Sequence, residues 1–216
     1  MTDVWSNRAQ AFRESPSHRE GRDLDLLVEM CEPAEDVKVL DVATGGGHVA
    51  RRLREEGCTV VTVDPAPGMQ PDVIARAEDL PFADGSFDVV ACRIAPHHFE
   101  DVRKAVAEMA RVAQTLLVIE DNLHVDEQTE EAERLRDPTH VRCYSEDEWK
   151  EMLADVGLEV ERVERLERRR DVDDWLARVD TPPDDATRVK ELLGDRIAGG
   201  AMVFPSIILK ARRSQR

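Results

Sequence analysis

Short apolar runs and helical apolar stripes alternate along most of the chain. Runs rich in β-branched residues predict buried strands at 37–42, 58–64, 86–94 and 115–121, with a shorter one at 72–76. Between the last two long runs, apolar residues recur at helical spacing: Val102, Ala105, Val106, Met109 and Val112. Strands that alternate with helices in this way predict an α/β fold built on a parallel sheet.

The last third of the chain has a different pattern. Residues 144–157 predict a helix, residues 158–166 alternate as a half-exposed strand does, and residues 202–212 predict a final strand. The segment from Glu164 to Asp174 is densely charged and is followed by the sequence DTPPDD. This composition predicts a solvated, mobile connection rather than a part of the core.

Composition limits the class of protein. At 216 residues the chain fits one domain, 1–216, and its formal net charge of −16 argues against a nucleic-acid partner, because phosphate contacts need a basic surface. The four cysteines lie far apart without a C-x-x-C pair, so we expect neither a metal site nor a disulfide framework. We find no apolar run long enough for a membrane span and no signal peptide, so the expected location is cytoplasmic.

The sequence VLDVATGGGHVA, residues 39–50, runs from a predicted strand through three glycines into a predicted helix. This arrangement is the usual nucleotide cradle, because the start of the helix offers free N–H donors. Asp41 precedes the turn, where its carboxylate can accept from the loop or from a ligand ammonium. Asp64 ends the second strand about 20 residues further on, where an acidic side chain accepts from a ribose diol. For the glycines alone, a tight turn without a ligand is the alternative.

Four longer stretches carry a family resemblance: VLDVATGGGHVA, VVTVDPAPGM, AEDLPFADGSFDVVACRIAPHHF and RDPTHVRCYSEDEWKEMLADVGL. With them the chain resembles, over nearly its whole length, the class I S-adenosylmethionine-dependent methyltransferases, in particular the small-molecule group with the ubiquinone and menaquinone biosynthesis enzymes. The resemblance implies a Rossmann-like seven-stranded α/β sheet in the order 3-2-1-4-5-7-6, the last strand antiparallel, with helices on both faces. It also implies S-adenosylmethionine as cofactor, O- or C-methylation of a small-molecule acceptor, an N-terminal helical cap at 1–32 and a substrate lid within 122–200.

The resemblance further implies a set of cofactor contacts. The backbone of the glycine turn would lie against the methionine part, Asp64 would hold the ribose hydroxyls, and Pro65 would flank the adenine. Ala77 and Glu78 would cover the adenine edge. One position departs from the family: Arg76 stands where an aspartate commonly accepts from the adenine amino group, and an arginine cannot accept a hydrogen bond. The expected cofactor residues are Asp41, Ala43, Thr44, Gly45, Gly47, Asp64, Pro65, Ala77, Glu78 and Arg93.

Arg93, His97 and His98 follow the fourth predicted strand, at the sheet edge where such sites open. By the resemblance, Arg93 would lie near the methionine end of the cofactor. A hydroxyl or acidic carbon acceptor needs a base with a pKa near neutrality, which suits histidine. We expect one of the two histidines to face the acceptor, with His98 favoured as the base over His97. An unperturbed histidine would make activity rise with pH through roughly 6–7.

The N-terminal lead-in contains Trp5, Phe12 and His18. We expect these to be packing residues. Because the family uses its N-terminal helices as part of a substrate lid, some of them can also line the acceptor site.

Two other functions stay open at this stage. An NAD(P)-dependent oxidoreductase would share the sheet, although the single tyrosine, Tyr144, is followed four residues later by Glu148 and not by the lysine of a short-chain dehydrogenase. A module that binds the cofactor, or its demethylated product, without catalysis would share the glycine turn. The identity of the acceptor and the oligomeric state are not set by the pattern, since lid pockets vary freely on this fold.

Overall fold

The computed structural model describes residues 2–213, apart from the side chains of residues 2, 3, 16 and 17. Its centre is one seven-stranded sheet, in the order β3-β2-β1-β4-β5-β7-β6. The first five strands pair in parallel, and β7 pairs antiparallel with both β5 and β6. The predicted sheet order and the antiparallel last strand are confirmed. The strands are β1 (Lys38–Val42), β2 (Thr59–Asp64), β3 (Val73–Ile74), β4 (Phe87–Arg93), β5 (Ala113–Asn122), β6 (Leu158–Asp171) and β7 (Ala201–Arg213).

Helices occupy both sides of this sheet. In the described part of the chain they are α1 (Thr2–Glu14), α2 (Pro16–Arg19), α3 (Arg22–Met30), α4 (His48–Glu55), α5 (Val102–Val112), α6 (Glu127–Arg136), α7 (Glu146–Asp155), α8 (Val172–Ala177) and α9 (Pro183–Leu193). Short 3-10 turns cover Pro67–Met69, Pro96–His98 and Gly194–Arg196. Across residues 2–213, none of the helices has the length and apolar character needed to cross a membrane.

Alternate residues of the central strands pack to opposite faces, as the pleat of a strand requires. Leu40 and Val90 belong to the core that α5 and α7 cover, whereas Val39 and Val89 belong to the core beneath α3 and α4. Both faces of the sheet are therefore buried. This explains why its strands read as continuous apolar runs in the sequence.

A third core lies beyond the sheet proper, where the ends of β6 and β7 continue as a two-stranded extension. It joins α6, α8 and α9 to β7 through Ala132, Trp175, Val189 and Phe204. These helices fill the interval between β5 and β7 in which a lid was expected. The helices pack on one another and on β7, so this region has an apolar interior of its own.

The segment from Glu164 to Asp174 is part of this folded structure, so the predicted mobile connection is wrong. β6 continues to Asp171, which pairs with Ala201 of β7, and Trp175 of α8 is buried in the third core. The density of charge has a structural cause. Because β6 is an edge strand, alternate side chains face solvent, and several of the intervening side chains are arginines that turn inward.

Candidate functional site

A cavity of about 170 Å³ opens at the carboxyl ends of β1, β2 and β4, the edge at which parallel α/β sheets bind ligands. We call it the main cavity. α1 forms one of its walls. The residues around it include Trp5, Phe12, His18, Asp41, Ala43, Thr44, Gly45, Gly46, Asp64, Pro65, Met69, Arg76, Ala77, Glu78, Arg93, Ile94, Ala95, His98 and Phe99.

The glycine turn runs from the end of β1 to the start of α4. Ala43, Gly45 and Gly47 all have positive φ, at 55°, 51° and 75°. Glycine adopts this left-handed region at no steric cost, which explains two of the three glycines. Gly46 has another reason: a Cβ there would lie 2.9 Å from the carbonyl oxygen of Phe12 in α1. The third glycine therefore lets α1 approach the turn.

Asp41 stabilises the glycine turn through its side chain. Its Oδ2 accepts from the Thr44 hydroxyl at 2.6 Å and from the Ala50 N–H at 3.2 Å. Burial raises the pKa of Asp41 to about 6, against the effect of these two hydrogen bonds. Its Oδ1 has no hydrogen-bond donor among residues 2–213. The carboxylate thus serves the loop with one oxygen and leaves the other available at the main cavity.

Asp64 ends β2 on the opposite side of the same turn. Its Oδ2 accepts from the Gly45 N–H at 3.0 Å, and its Oδ1 accepts from the Ala66 N–H at 2.9 Å. Each carboxylate oxygen can accept more than one hydrogen bond, so both keep capacity for a ligand. Burial raises the pKa of Asp64, while the two backbone donors lower it. The predicted ribose residue therefore lies at the main cavity with its orientation fixed by backbone groups.

Arg76 and Glu78 form an ion pair on the side of the main cavity that includes Pro65 and Ala77. Nη2 of Arg76 lies 3.2 Å from Oε1 of Glu78, which also accepts from the N–H of Glu100 at 3.0 Å. The N–H of Asp101 reaches the same Oε1 at 3.4 Å. A carboxylate, the kind of acceptor that is missing at position 76, thus lies two residues later at the main cavity.

Arg93 is buried at the floor of the main cavity and is held by three partners. Its Nη2 lies 2.5 Å from Asp23 of α3, its Nε lies 3.0 Å from Glu120 of β5, and its Nη1 donates to the carbonyl oxygen of His18 at 3.0 Å. These contacts tie the N-terminal cap to the sheet. A direct contact between Arg93 and a cofactor stays a prediction, because its guanidinium already serves these three groups.

His98 lines the main cavity from the 3-10 turn after β4. Its Nδ1 lies 3.0 Å from the carbonyl oxygen of Thr139. A carbonyl oxygen only accepts, so Nδ1 carries the proton and Nε2 of the neutral ring is unprotonated. Burial and the neighbouring His97 hold the pKa of His98 well below its usual range. The ring packs edge-on against Trp5 of α1 at 4.7 Å between centroids.

His97 turns away from the main cavity. Its Nδ1 lies 2.5 Å from Oδ1 of Asp121, a fully buried carboxyl group of β5. Burial and the nearby His140 lower the pKa of His97. Of the two adjacent histidines, only His98 lines the main cavity, and which of them faces the acceptor stays a prediction.

The wall formed by α1 docks on two glycines. A Cβ at Gly68 would lie 2.6 Å from the Cα of Ser6, so glycine is required for this close approach. The N–H of Gly68 donates to Oγ of Ser6 at 3.0 Å, and Nη1 of Arg13 donates to the carbonyl oxygen of Gly68 at 3.2 Å. Arg8 of the same helix reaches Asp137 at 3.1 Å. α1 is thus fastened on both sides of the main cavity.

All four cysteines are free and buried. One of them, Cys143, lies with Glu130 and His140 in a group whose ligand atoms are within 4.8 Å of one another; it is the one such group among the residues the structure describes. The Glu130 carboxylate already accepts from Nε2 of His140 at 2.9 Å and from the Cys143 N–H at 3.2 Å. These bonds give the group a structural role, and the absence of a metal site stays a prediction.

Most of the residues predicted from the sequence meet at the main cavity. Gly47 and His97 are the two that do not line it. The pattern missed Met69, Ile94, Ala95 and Phe99. These residues could not be singled out from the sequence, because their neighbours in space come from other elements.

Known proteins match most of the chain in sequence and in structure. Residues 9–163 match the methyltransferase domain family. The protein YcgJ of Bacillus subtilis, named as an uncharacterized methyltransferase, is 33% identical over 202 residues, which cover 83% of this chain and 80% of that protein. A crystal structure of YcgJ superposes with a TM-score of 0.81 at 28% identity, over 89% of this chain and 98% of that one.

Of two further matches, one covers less of the chain and the other has a lower sequence identity. A demethylmenaquinone methyltransferase of Renibacterium salmoninarum is 35% identical over 99 residues, 41% of this chain and 42% of that protein. A geranyl diphosphate C-methyltransferase of Streptomyces coelicolor, solved with Mg²⁺, geranyl diphosphate and S-adenosylhomocysteine, shares the fold, with a TM-score of 0.64 at 15% identity over 89% of this chain and 77% of that one. The family match decides against the oxidoreductase and the non-catalytic module. The chain belongs to the methyltransferase domain family and is an S-adenosylmethionine-dependent methyltransferase.

Proposed function

We propose that this enzyme transfers a methyl group from S-adenosylmethionine, bound in the main cavity, to an oxygen or carbon atom of a small organic acceptor, with His98 as general base. One observation carries the proposal: the same cavity is lined by the strand-end carboxylate of Asp64 and by a histidine whose Nε2 is unprotonated. A cavity that takes donor and acceptor together provides the alignment on which an in-line displacement depends.

The polar groups of the main cavity fit S-adenosylmethionine. Oδ1 of Asp41 is available to accept from the ammonium of the methionine part, and Asp64 has capacity for two ribose hydroxyls. The carboxylate of Glu78 lines the main cavity and would accept from the adenine amino group, which would compensate for Arg76. Pro65 and Met69 offer apolar surface for the purine.

When bound, S-adenosylmethionine supplies a methyl group that its sulfonium charge has already activated. The residues of the chain hold the acceptor in line and keep water out, the latter through Trp5 and Phe12 on α1. His98 takes the acceptor proton at Nε2, because its Nδ1–H is engaged by Thr139. Asp137 accepts from the Thr139 hydroxyl at 2.7 Å and so fixes the segment that orients the base.

The low pKa of His98 changes the pH dependence expected from the sequence. Because burial keeps the ring neutral to a lower pH, the base form is present throughout the range in which an ordinary histidine titrates. We therefore propose that activity is flat through roughly 6–7 and rises with pH only below that range. The rise through roughly 6–7 expected from the sequence applies to a solvated imidazole, and a pH profile of activity distinguishes the two.

The names of two relatives support a small organic acceptor. Demethylmenaquinone and geranyl diphosphate are both small organic molecules. The second of these proteins methylates carbon, by its name, and shares only the fold with this chain. The acceptor of this chain must therefore be identified by experiment, guided by the groups that line its site.

Calorimetry with S-adenosylhomocysteine and with NAD tests the assignment of the cavity. We expect S-adenosylhomocysteine to bind far more tightly, because the turn and Asp64 match its ribose and amino acid parts. Tighter binding of NAD would refute the assignment of the main cavity to S-adenosylmethionine.

His98→Ala tests the base. With radiolabelled S-adenosylmethionine and a panel of catechols and hydroquinones as acceptors, we expect turnover to fall by about 10²–10⁴, while affinity for S-adenosylhomocysteine changes little. His124→Ala is the matched control, since His124 does not line the main cavity. If the His98 variant retains full turnover with an unchanged pH profile, the reaction proceeds by alignment alone.

A further inference from the structure

A second, smaller cavity of about 30 Å³ adjoins the main cavity. Phe12, His18, Ile94 and His98 line both. A volume of this size holds one or two waters or a small polar group. The second cavity therefore meets the main cavity at the proposed base and its three neighbours.

Three guanidinium groups line the second cavity. They belong to Arg136 of α6, Arg170 of β6 and Arg178, which follows α8. Arg136 lies 4.4 Å above the ring of Trp175. Arg170 lies 5.6 Å from the ring centroid of Phe204, and its Nη2 is buried without a hydrogen-bond partner. A buried guanidinium that lacks an acceptor destabilises the fold, so its presence calls for a ligand.

The carboxylates at this cavity do not balance the cations. Asp137 is engaged by Arg8 at 3.1 Å, and Glu133 lies 3.7 Å from Nη1 of Arg136. No carboxylate of the described residues forms an ion pair with Arg170 or Arg178. Such an excess of positive charge stands out in a chain whose formal net charge is −16.

The pKa shifts of the side chains at the second cavity agree with an excess of positive charge there. Burial, together with Arg168, Arg178 and Arg136, holds the pKa of Arg170 well below its usual range. Burial and the positive charges of Arg170 and Arg178, with smaller contributions from Arg93 and Arg168, lower the pKa of His18, where the two cavities meet. An anion placed among these side chains would relieve their mutual repulsion.

We infer that the second cavity binds an anionic group of the methyl acceptor, a carboxylate or a phosphate, held by Arg136, Arg170 and Arg178. This inference rests on the proposed function for the position of the methyl donor. An acceptor anchored there by its anion passes His98 before it reaches the main cavity. The arginines thereby select acidic acceptors and set which atom lies beside the base.

Small anions test this inference without knowledge of the acceptor. The protein, saturated with S-adenosylhomocysteine, is titrated with acetate, benzoate and inorganic phosphate at constant ionic strength, and tryptophan fluorescence is followed. Acetamide and benzamide serve as uncharged probes of matched shape. We expect saturable binding of at least one anion and none of the amides. The carboxylates and the phosphate distinguish the two anion chemistries.

Variants of neighbouring residues on β6 locate the binding. Arg170→Met should weaken anion binding by about 10- to 100-fold, the effect of a lost charged hydrogen bond. Arg169→Met is the control, because Arg169 is exposed on the opposite face of the same strand. Arg178→Met provides a second variant of the cavity itself. Removal of an unpaired buried cation should leave the melting temperature of the ligand-free Arg170 variant at or above that of the wild type.

The outcomes separate this inference from the proposed function. If S-adenosylhomocysteine binds but no anion does, if amides bind as well as anions, or if Arg170→Met binds anions like the wild type, the inference is overturned. A lower melting temperature of the ligand-free variant would also count against it, since the guanidinium would then be satisfied within the fold. If S-adenosylhomocysteine fails to bind the wild type, the proposed function itself is wrong.

Discussion

Asp41 and Asp64 each serve the fold and the ligand at once. Backbone N–H groups of Gly45, Ala50 and Ala66 fix the two carboxylates, and both residues line the main cavity. A ligand that meets such groups need not order them, which lowers the free-energy cost of binding. Substitutions at these positions should therefore affect both stability and affinity.

Asp64→Ala should weaken binding of S-adenosylhomocysteine by about 1.5–3 kcal/mol, the scale of hydrogen bonds to a charged group. It should also lower the free energy of unfolding, because Gly45 and Ala66 lose their acceptor. Calorimetry gives the first quantity and urea denaturation the second. Asp64→Asn keeps one acceptor oxygen and should show a smaller loss of both. Unchanged affinity in the alanine variant would place the ribose elsewhere.

Asp41→Asn should change how stability depends on pH. The pKa of Asp41 is raised from 3.8 to about 6 by burial, so the folded state holds its proton more firmly than the unfolded chain does. Stability from this group is therefore present below pH 4 and is lost as pH rises through 6, by about 3 kcal/mol in all. In the asparagine variant this loss should be absent. Urea denaturation of both proteins between about pH 4 and pH 7.5 measures the difference, and parallel curves would contradict it.

At the scale of elements, α1 is the helix that packs across the main cavity. It reaches the 3-10 turn at Pro67–Met69 through Gly68 and the glycine turn through Gly46. Both glycines exist because the helix approaches the backbone too closely for a side chain. α1 thus forms a wall of the main cavity and packs directly on the backbone of two turns that line it.

Gly68→Ala should displace α1 without straining the turn, since Gly68 does not have a positive φ. We expect faster hydrogen exchange in residues 2–14 and faster dissociation of S-adenosylhomocysteine, with a loss of stability of about 1–3 kcal/mol from overpacking. Ser6→Ala is the control, because it removes only the hydroxyl that accepts from Gly68. Unaltered exchange in α1 would mean that the helix adjusts to the added methyl group.

The elements also differ in how far the sequence predicts them. The central strands and α5 follow from local apolar patterns, because both faces of the sheet are buried. The pairing of Arg76 with Glu78 and the role of Arg170 depend on contacts that the local pattern does not contain. The second half of β6, beyond the strand predicted at 158–166, was the clearest failure: an edge strand with inward arginines has the composition of a disordered linker. Its pairing with β7, which lies some 30 residues further on, decides its structure.

At the scale of the whole molecule, charge opposes compactness. With 46 acidic and 30 basic side chains, even complete pairing of every cation leaves an excess of negative charge. Most of the ion pairs are at the surface, where each contributes little. Added salt screens both the repulsion within the excess negative charge and the attraction within the surface ion pairs. Because the surface pairs contribute little, we expect the weakened repulsion to have the larger effect on stability.

We accordingly expect the melting temperature to rise as KCl increases from about 0.01 M to about 1 M, over which the Debye length falls from about 30 Å to about 3 Å. Differential scanning calorimetry measures the change. Tetramethylammonium chloride at equal ionic strength distinguishes screening from specific binding of K⁺. A falling melting temperature would show that the surface pairs dominate.

The insertion of β7 between β5 and β6 has a consequence for synthesis of the protein. β6 pairs only with β7, and β7 is the last strand of the sheet in chain order. As the chain leaves the ribosome, β5 and β6 each present an edge of unpaired N–H and C=O groups until residues 201–213 emerge. The nascent protein therefore depends on residues 201–213 to join β6 to the sheet, and a ribosome that stops before Ala201 releases a chain in which β5 and β6 both lack the partner that β7 provides.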